Sequence, residues 1–178
     1  MNKTRCTWAG DDDIYIKYHD DEWGVPTHDD KELFEMLVLE SFQAGLSWIT
    51  ILKKRDNFKK AFDNFDVEKV AGYGEDKVDE LLENEGIIRH KGKINAAINN
   101  ASIFIEIQKE FGSFDEYIWG FTDGEIIKAE YLTESDLSKQ ISKDMKKRGM
   151  KFVGPTIIYS YLESIGIIDN HQEGCFKF

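Results

Sequence analysis

The sequence predicts an all-α protein folded as one contiguous domain, and three observations carry that reading. Apolar residues recur at intervals of three and four through most of the chain. Residues that start and stop helices punctuate those runs at helical lengths. No alternating βαβ pattern, internal repeat or low-complexity linker interrupts them, so residues 1–178 read as a single unit. Taken in order, Thr27 with Asp30 three residues later resembles a capping box ahead of Leu33, Phe34, Met36, Leu37 and Leu39. Gly45 breaks that helix, and Ser47 caps the next, which runs to about Phe62. Asp66 starts a short helix. Residues 75–83 carry Val78, Leu81 and Leu82 on one face, and Gly86 ends that helix. Residues 93–111 repeat Ile94, Ala97, Ile98, Ala101 and Ile105 at helical spacing, and 114–119 give one more short turn. Residues 120–132 read as a loop or a brief extended segment. Residues 133–148 are helical with a basic C-terminal end that suits the macrodipole. Gly154-Pro155 opens the last helix, with the proline in its first turn.

Composition narrows the function classes. Hydrophobic residues make up 41% of the chain, with 12 Phe, 7 Tyr and 4 Trp, which is enough to bury a sizeable core. No apolar run approaches bilayer length and no secretory signal precedes Cys6, so the expectation is a soluble, cytoplasmic protein. The formal net charge of -11 argues against a generic nucleic-acid binder. The cations are nevertheless grouped, at Lys53, Lys54, Arg55, Lys59 and Lys60, at Arg89 to Lys93, and at Lys146, Lys147, Arg148 and Lys151. Any one group reads as a solvated helix face; three converging would make a phosphate-binding face on an acidic protein.

Both cysteines and two of the four histidines lie near the termini: Cys6 and His19 at one end, His171 and Cys175 at the other. Cys2His2 is a common structural zinc set, and four protein ligands leave no open position for activated water. A metal here would clasp the ends of the domain together rather than catalyse. One disulfide or two isolated core thiols are the alternative readings.

Glu40 falls on the apolar stripe of its helix, three residues after Leu37 and seven after Leu33. A carboxylate there is costly unless it is paired or meets a ligand. Its company is Gln43, Trp48 and an N-terminal segment with Trp8, Tyr15, Tyr18 and Trp23. Aromatic planes around an acceptor describe a pocket for a flat heterocycle carrying N–H donors or positive charge, such as a methylated nucleobase. The alternative is a buried glutamate satisfied within an aromatic core. Residues 86–94 join two apolar-faced helices through a tight basic turn, Arg89-His90-Lys91-Gly92-Lys93, whose free N–H groups suit a phosphate. The turn looks like a helix-hairpin-helix element in which His90 stands where the first hairpin glycine would be. An ordinary αα-turn is the alternative.

These pieces coincide in order and spacing with one family. Cys6-Thr7-Trp8, Tyr18-His19-Asp20, Glu22-Trp23-Gly24-Val25-Pro26, Gln43-Ala44-Gly45-Leu46-Ser47-Trp48, the stretches 86–94 and 146–154, and His171 to Cys175 resemble 3-methyladenine DNA glycosylase I. The resemblance spans nearly the whole chain and is weakest across 110–140. It implies a helix-hairpin-helix glycosylase fold with a structural Zn(2+) held by Cys6, His19, His171 and Cys175, joining the N- and C-termini, and no organic cofactor. It implies a base pocket of Glu40, Trp48 and Tyr18, supported by Trp8, Tyr15 and Trp23, with Glu40 and Tyr18 in the catalytic roles. Arg89, His90, Lys91, Gly92 and Lys93 would grip the backbone of alkylated double-stranded DNA. The activity implied is that of a monofunctional glycosylase, a monomer with no membrane and no obligate protein partner, which hydrolyses the N-glycosidic bond of 3-methyladenine and leaves an abasic site. Asp115 is the nearest counterpart of the catalytic Asp that many members of the wider superfamily carry. Competing readings are a non-enzymatic binder of alkylation lesions and a zinc-stabilised helical interaction module.

Overall fold

The chain, described over residues 3–129 and 132–178 by a computed structural model, folds mainly into α-helices. In order these are α1 (Asp13–Asp21), α2 (Asp30–Gln43), α3 (Trp48–Ala61), α4 (Val67–Ala71), α5 (Glu75–Glu83), α6 (Lys91–Phe111), α7 (Phe114–Gly120), α8 (Asp136–Lys147) and α9 (Pro155–Ser164). Helix α2 is the hub. Every residue from Leu33 to Phe42 is buried, which is the signature of a helix enclosed on all sides rather than lying on a surface. Helices α3, α6, α7 and α9 pack around it. Aromatic pairs tie these neighbours: Phe34 meets Phe104 of α6 at 5.2 Å, Phe42 meets Phe58 of α3 at 4.9 Å, and Phe104 stacks on Phe114 of α7 at 4.1 Å. Each such ring, fully buried, stabilises the fold by about 1.5–3 kcal/mol.

Several elements differ in detail from the sequence reading. Helix α1 is an addition: Asp12 caps it, accepting from the Ile14 N–H at 3.0 Å, and its short mixed acidic–aromatic sequence gives no long apolar stripe to recognise. At the start of α2 the cap is Asp29, accepting from the Glu32 N–H at 3.0 Å, and Thr27 plays no part in it. The Thr27 backbone is already committed, its N–H to Ile165 at 2.9 Å and its carbonyl to the Trp119 indole at 2.9 Å. Helix α5 ends at Glu83, before Gly86, whose carbonyl instead accepts from Asn57. Helix α6 begins two residues earlier than its apolar pattern, with His90 as the cap. Within the described part of 120–132, β1 (Ile127–Lys128) pairs in parallel with β2 (Ile168–Asp169), Ile127 facing Ile168. Glu130 and Tyr131 lie outside the described residues.

Two glycines fix how the ends of the chain approach the core. Gly24 has φ +74°, and a Cβ there would sit 2.6 Å from the His171 ring. Gly166 has φ +80°, and its Cβ would meet the Val25–Pro26 backbone at 2.4 Å. Only glycine permits both the left-handed backbone and the close approach. The C-terminal segment is thereby laid against the connection between α1 and α2, which brings Cys175 and His171 to the first twenty residues.

Candidate active site

Four elements converge on one cavity of about 200 Å³. Helix α1 and the turn before it supply Trp8, Tyr15 and Tyr18, with Trp23 just beyond. The last turns of α2 supply Glu40 and Gln43, the first residue of α3 is Trp48, and α9 adds Ser160 and Glu163. The structure thus brings together all six residues expected to surround a base. Trp8 meets Tyr15 at 5.2 Å and Trp23 at 4.8 Å, both edge-on, and Tyr18 meets Trp48 at 5.6 Å with a 54° tilt.

Two polar atoms in this wall are buried without a hydrogen-bond partner: Glu40 Oε2 and Trp48 Nε1. Glu40 is only 3% exposed. Burial, reinforced by the charge of Glu163, holds its carboxyl well above the ordinary carboxylate range. Orphaned buried polar atoms are rare in native proteins and each calls for an explanation. An acceptor and a donor left unpaired in one aromatic cavity are explained by a polar, flat ligand that completes them.

Glu163 and Ser160 were not singled out in the sequence. Glu163 is raised to about 7 by burial, against one hydrogen bond from Asn170 at 3.1 Å. The available signal was that Glu163 is the one charged residue of α9, in a helix otherwise made of apolar, aromatic and hydroxyl side chains. Asp115 does not line the cavity; it pairs with His28 at 2.7 Å at the start of α7. A larger groove of about 650 Å³ runs between α1, α2 and α3. Arg55 pairs there with Glu22 and Glu35 at 2.7 Å each, and none of the buried unpaired polar atoms found among the described residues lines it.

Behind the cavity wall the four terminal ligand candidates gather. The donor atoms of Cys6, His19 and Cys175 lie within 4.8 Å of one another, all buried. His171 stands at the edge of this trio, its ring 5.5 Å from that of His19, and its Nε2 is the third buried orphan. Both imidazoles hold a carboxylate at Nδ1, Asp20 at 2.9 Å and Asp169 at 2.7 Å, which leaves Nε2 as the ring nitrogen for coordination; that of His19 faces the Cys175 sulfur at 3.5 Å and accepts from the Cys6 N–H at 3.4 Å. Backbone N–H groups of Gln172 and Lys177 point at the sulfurs of Cys6 and Cys175, at 3.3 and 3.4 Å, as suits thiolates. Without a cation, burial pushes the Cys6 thiol up to about 11. Cys6, His19 and Cys175 form a buried donor set that a divalent metal fits, and His171 lies outside that trio.

The basic turn is partly as expected. Arg89, His90, Lys91 and Gly92 are exposed, and His90 caps α6 by accepting from the Lys93 N–H at 3.0 Å. Lys93 requires correction: its side chain is buried and turned inward, bonded to the carbonyls of Phe42 and Ala44, so it presents no charge to a phosphate.

Comparison with known proteins agrees with this geometry. The chain is 46% identical over 177 residues to DNA-3-methyladenine glycosylase 1 of Escherichia coli (strain K12), covering 96% of this chain and 95% of that protein. It superposes on a crystal structure of 3-methyladenine DNA glycosylase I with a TM-score of 0.94 at 45% identity, covering 97% of this chain and 98% of the other. The Staphylococcus aureus enzyme, solved to show the structural basis of its 3-methyladenine recognition, gives a TM-score of 0.93 at 38% identity over 97% of this chain and 95% of its own. Residues 8–178 match the methyladenine glycosylase family, and the chain belongs to it.

Proposed function

We infer that this protein is a base-excision repair enzyme, a DNA-3-methyladenine glycosylase that hydrolyses the N-glycosidic bond of the damaged nucleotide. The observation that carries the reading is the buried, unpaired Glu40 carboxyl inside an aromatic cavity, in a chain of this family. Methylation at N3 places a positive charge on adenine, weakens its bond to the sugar and makes it a good leaving group. A strong general acid is therefore unnecessary, and the cavity's task is to select and hold the cation. Extrusion from the duplex brings the base edge to Glu40 and its faces to Trp48 and Tyr18, where stacking contributes about 1–3 kcal/mol per ring. A cationic base favours the ionised carboxylate that burial alone disfavours, so Glu40 discriminates the lesion from neutral adenine by charge. Tyr15, Trp8 and Trp23 complete the apolar wall. Water then attacks the sugar carbon and an abasic site remains.

The enzyme is monofunctional on this reading. A Schiff-base mechanism needs a free lysine at the cavity, no lysine is among its lining residues, and Lys93 is bonded to two carbonyls elsewhere. The α5–α6 connection acts as the helix-hairpin-helix element, with Arg89, His90, Lys91 and the first-turn N–H groups of α6 holding the DNA backbone. Because that grip rests on cations displacing counterions from phosphates, it should weaken with salt. The terminal cluster binds a structural Zn(2+) through Cys6, His19, His171 and Cys175; bound there it supplies cross-linking of the termini and no chemistry to the reaction. One core running from Cys6 to Cys175 supports a single domain over 1–178, and a monomer is the proposed state. Among the described residues no helix is long and apolar enough to cross a membrane.

The test is base release from methylated genomic DNA at low ionic strength, resolved by chromatography, with wild type beside Glu40→Ala. Free 3-methyladenine from wild type and much less from the variant is expected. A folded wild-type protein that binds the DNA yet releases no base would instead make it a lesion binder.

A further inference from the structure

Lys93 occupies the third position of α6, one turn from the exposed basic residues of the hairpin, yet it is only 6% exposed. Its ammonium donates to the Phe42 carbonyl at 2.9 Å and the Ala44 carbonyl at 2.6 Å. These belong to the end of α2, where carbonyls lack intrahelical donors. Burial lowers the lysine's pKa and no carboxylate offsets that shift. A buried cation without a counter-charge is an expensive way to cap a helix. Gly45, with φ +77°, already turns the chain at this point.

What the lysine reaches explains the cost. Ala44 opens the turn between the two helices that carry Glu40 and Trp48. The turn is closed on itself by Leu46 N–H to the Gln43 carbonyl at 2.7 Å and by the Gln43 amide to the Leu46 carbonyl at 3.2 Å. Gln43 and Trp48 both line the cavity. On its other side Lys93 is bonded through its own N–H to the His90 ring, the tip of the hairpin. One residue therefore joins the surface that holds DNA to the rim of the cavity that holds the base.

We propose that Lys93 is a positioning residue, whose buried ammonium locks the Gln43–Trp48 turn onto the first turn of α6 and so keeps the gripped backbone and the extruded base in fixed register. The proposal rests on the glycosylase reading and adds to it a coupling between its two halves. A displacement of about 1 Å between them is enough to cost about a hundredfold in rate.

The experiment compares wild type with Lys93→Met in three measurements: thermal unfolding, affinity for unmethylated duplex across a salt series, and single-turnover release of 3-methyladenine from methylated duplex. Expected are a folded variant, near-wild-type duplex affinity and salt slope, and a release rate lower by about ten- to a hundredfold. Amide hydrogen exchange over residues 44–48 should quicken in parallel, which a role confined to global stability would not produce. Lys93→Gln keeps one donor on a shorter arm and should fall between the two; it replaces Lys93→Met if that variant does not fold. A wild-type release rate in either folded variant overturns the proposal. So does a salt slope reduced by about one, because Lys93 would then be a phosphate ligand. Absence of release by wild type in the same assay would sink the glycosylase reading itself.

Discussion

At the scale of single residues, the unusual groups are the two cavity carboxyls, and their cost can be measured. Both have an ordinary value of 4.5; burial and the charge of Glu163 hold Glu40 well above it, and burial lifts Glu163 to about 7. Between the unfolded and folded values the native protein binds more protons than the unfolded chain. Stability contributed at low pH is therefore lost as pH rises, from about 4.5 up to about 7 for Glu163 and well above 4.5 for Glu40. Replacing Glu40 by Gln removes its share. Glu40→Gln should melt above wild type at pH 7, converge with it near pH 4, and lose base release throughout. Melting curves across that range check the point; a variant no more stable at pH 7 than at pH 4, relative to wild type, would mean Glu40 ionises at no cost. Stability gained with activity lost is the behaviour of a functional strain, not of a core residue. Glu40 was legible in the sequence because a carboxylate interrupts an apolar stripe. Glu163 carries a similar signal as the one charged residue of α9, but its interaction with Glu40 exists only after α9 is folded against α2. Lys93 was misplaced for the same reason: spacing puts it beside the basic turn, and only packing shows its ammonium turned toward α2.

Among elements, the arrangement of α1, α2 and α3 decides where Tyr18, Glu40 and Trp48 stand, and Arg55 is the joint. From α3 it donates to Glu35 of α2 at 2.7 Å and to both oxygens of Glu22, at the end of α1, at 2.7 and 3.0 Å. The two partners are not equivalent: the Glu35 side chain is 10% exposed and that of Glu22 41%. Arg55→Met leaves the buried Glu35 with only the more distant Lys59, at 3.7 Å, and should cost about 2 kcal/mol. Glu22→Gln touches only the solvent-screened arm and should cost about 0.5 kcal/mol. Denaturant titration of the two variants separates these values, and equal losses would show that the joint does not depend on burial. Helix boundaries were readable to within a residue or two where caps and apolar periodicity agree, as for residues 75–83. They were not readable for α1, whose stability comes from setting Tyr18 and His19 into the core rather than from its own pattern. The parallel pairing of β1 with β2 was equally hidden, since its two strands are two residues long and forty residues apart.

For the whole molecule, the closing of the termini and the shaping of the cavity are one event. Trp8 packs edge-on against His19 at 5.3 Å, Trp23 stacks on the same ring at 6.1 Å and also meets His171 at 4.7 Å. Trp8 and Trp23 line the base cavity on their other sides, and Tyr18 precedes His19 in the chain. In the sequence, Tyr18 and Trp23 flanking His19 already point from the terminal cysteines and histidines to the pocket beside them, while the close packing depends on Gly24 admitting the His171 ring. On the proposed four-ligand site, loss of the metal would free two buried sulfurs and two imidazoles while removing the back support of three aromatic residues. Small zinc domains draw about 10–16 kcal/mol from their metal, whereas this chain keeps a large core without it. Treatment with a strong chelator should therefore lower the melting temperature without unfolding the protein at room temperature. It should also shift tryptophan emission and reduce 3-methyladenine release, with zinc restoring all three. Cys175→Ala should behave like the chelated protein and be insensitive to added zinc. Freshly purified protein containing no metal, with a melting temperature indifferent to the chelator, would refute the clasp, and the buried orphan at His171 would then need another partner.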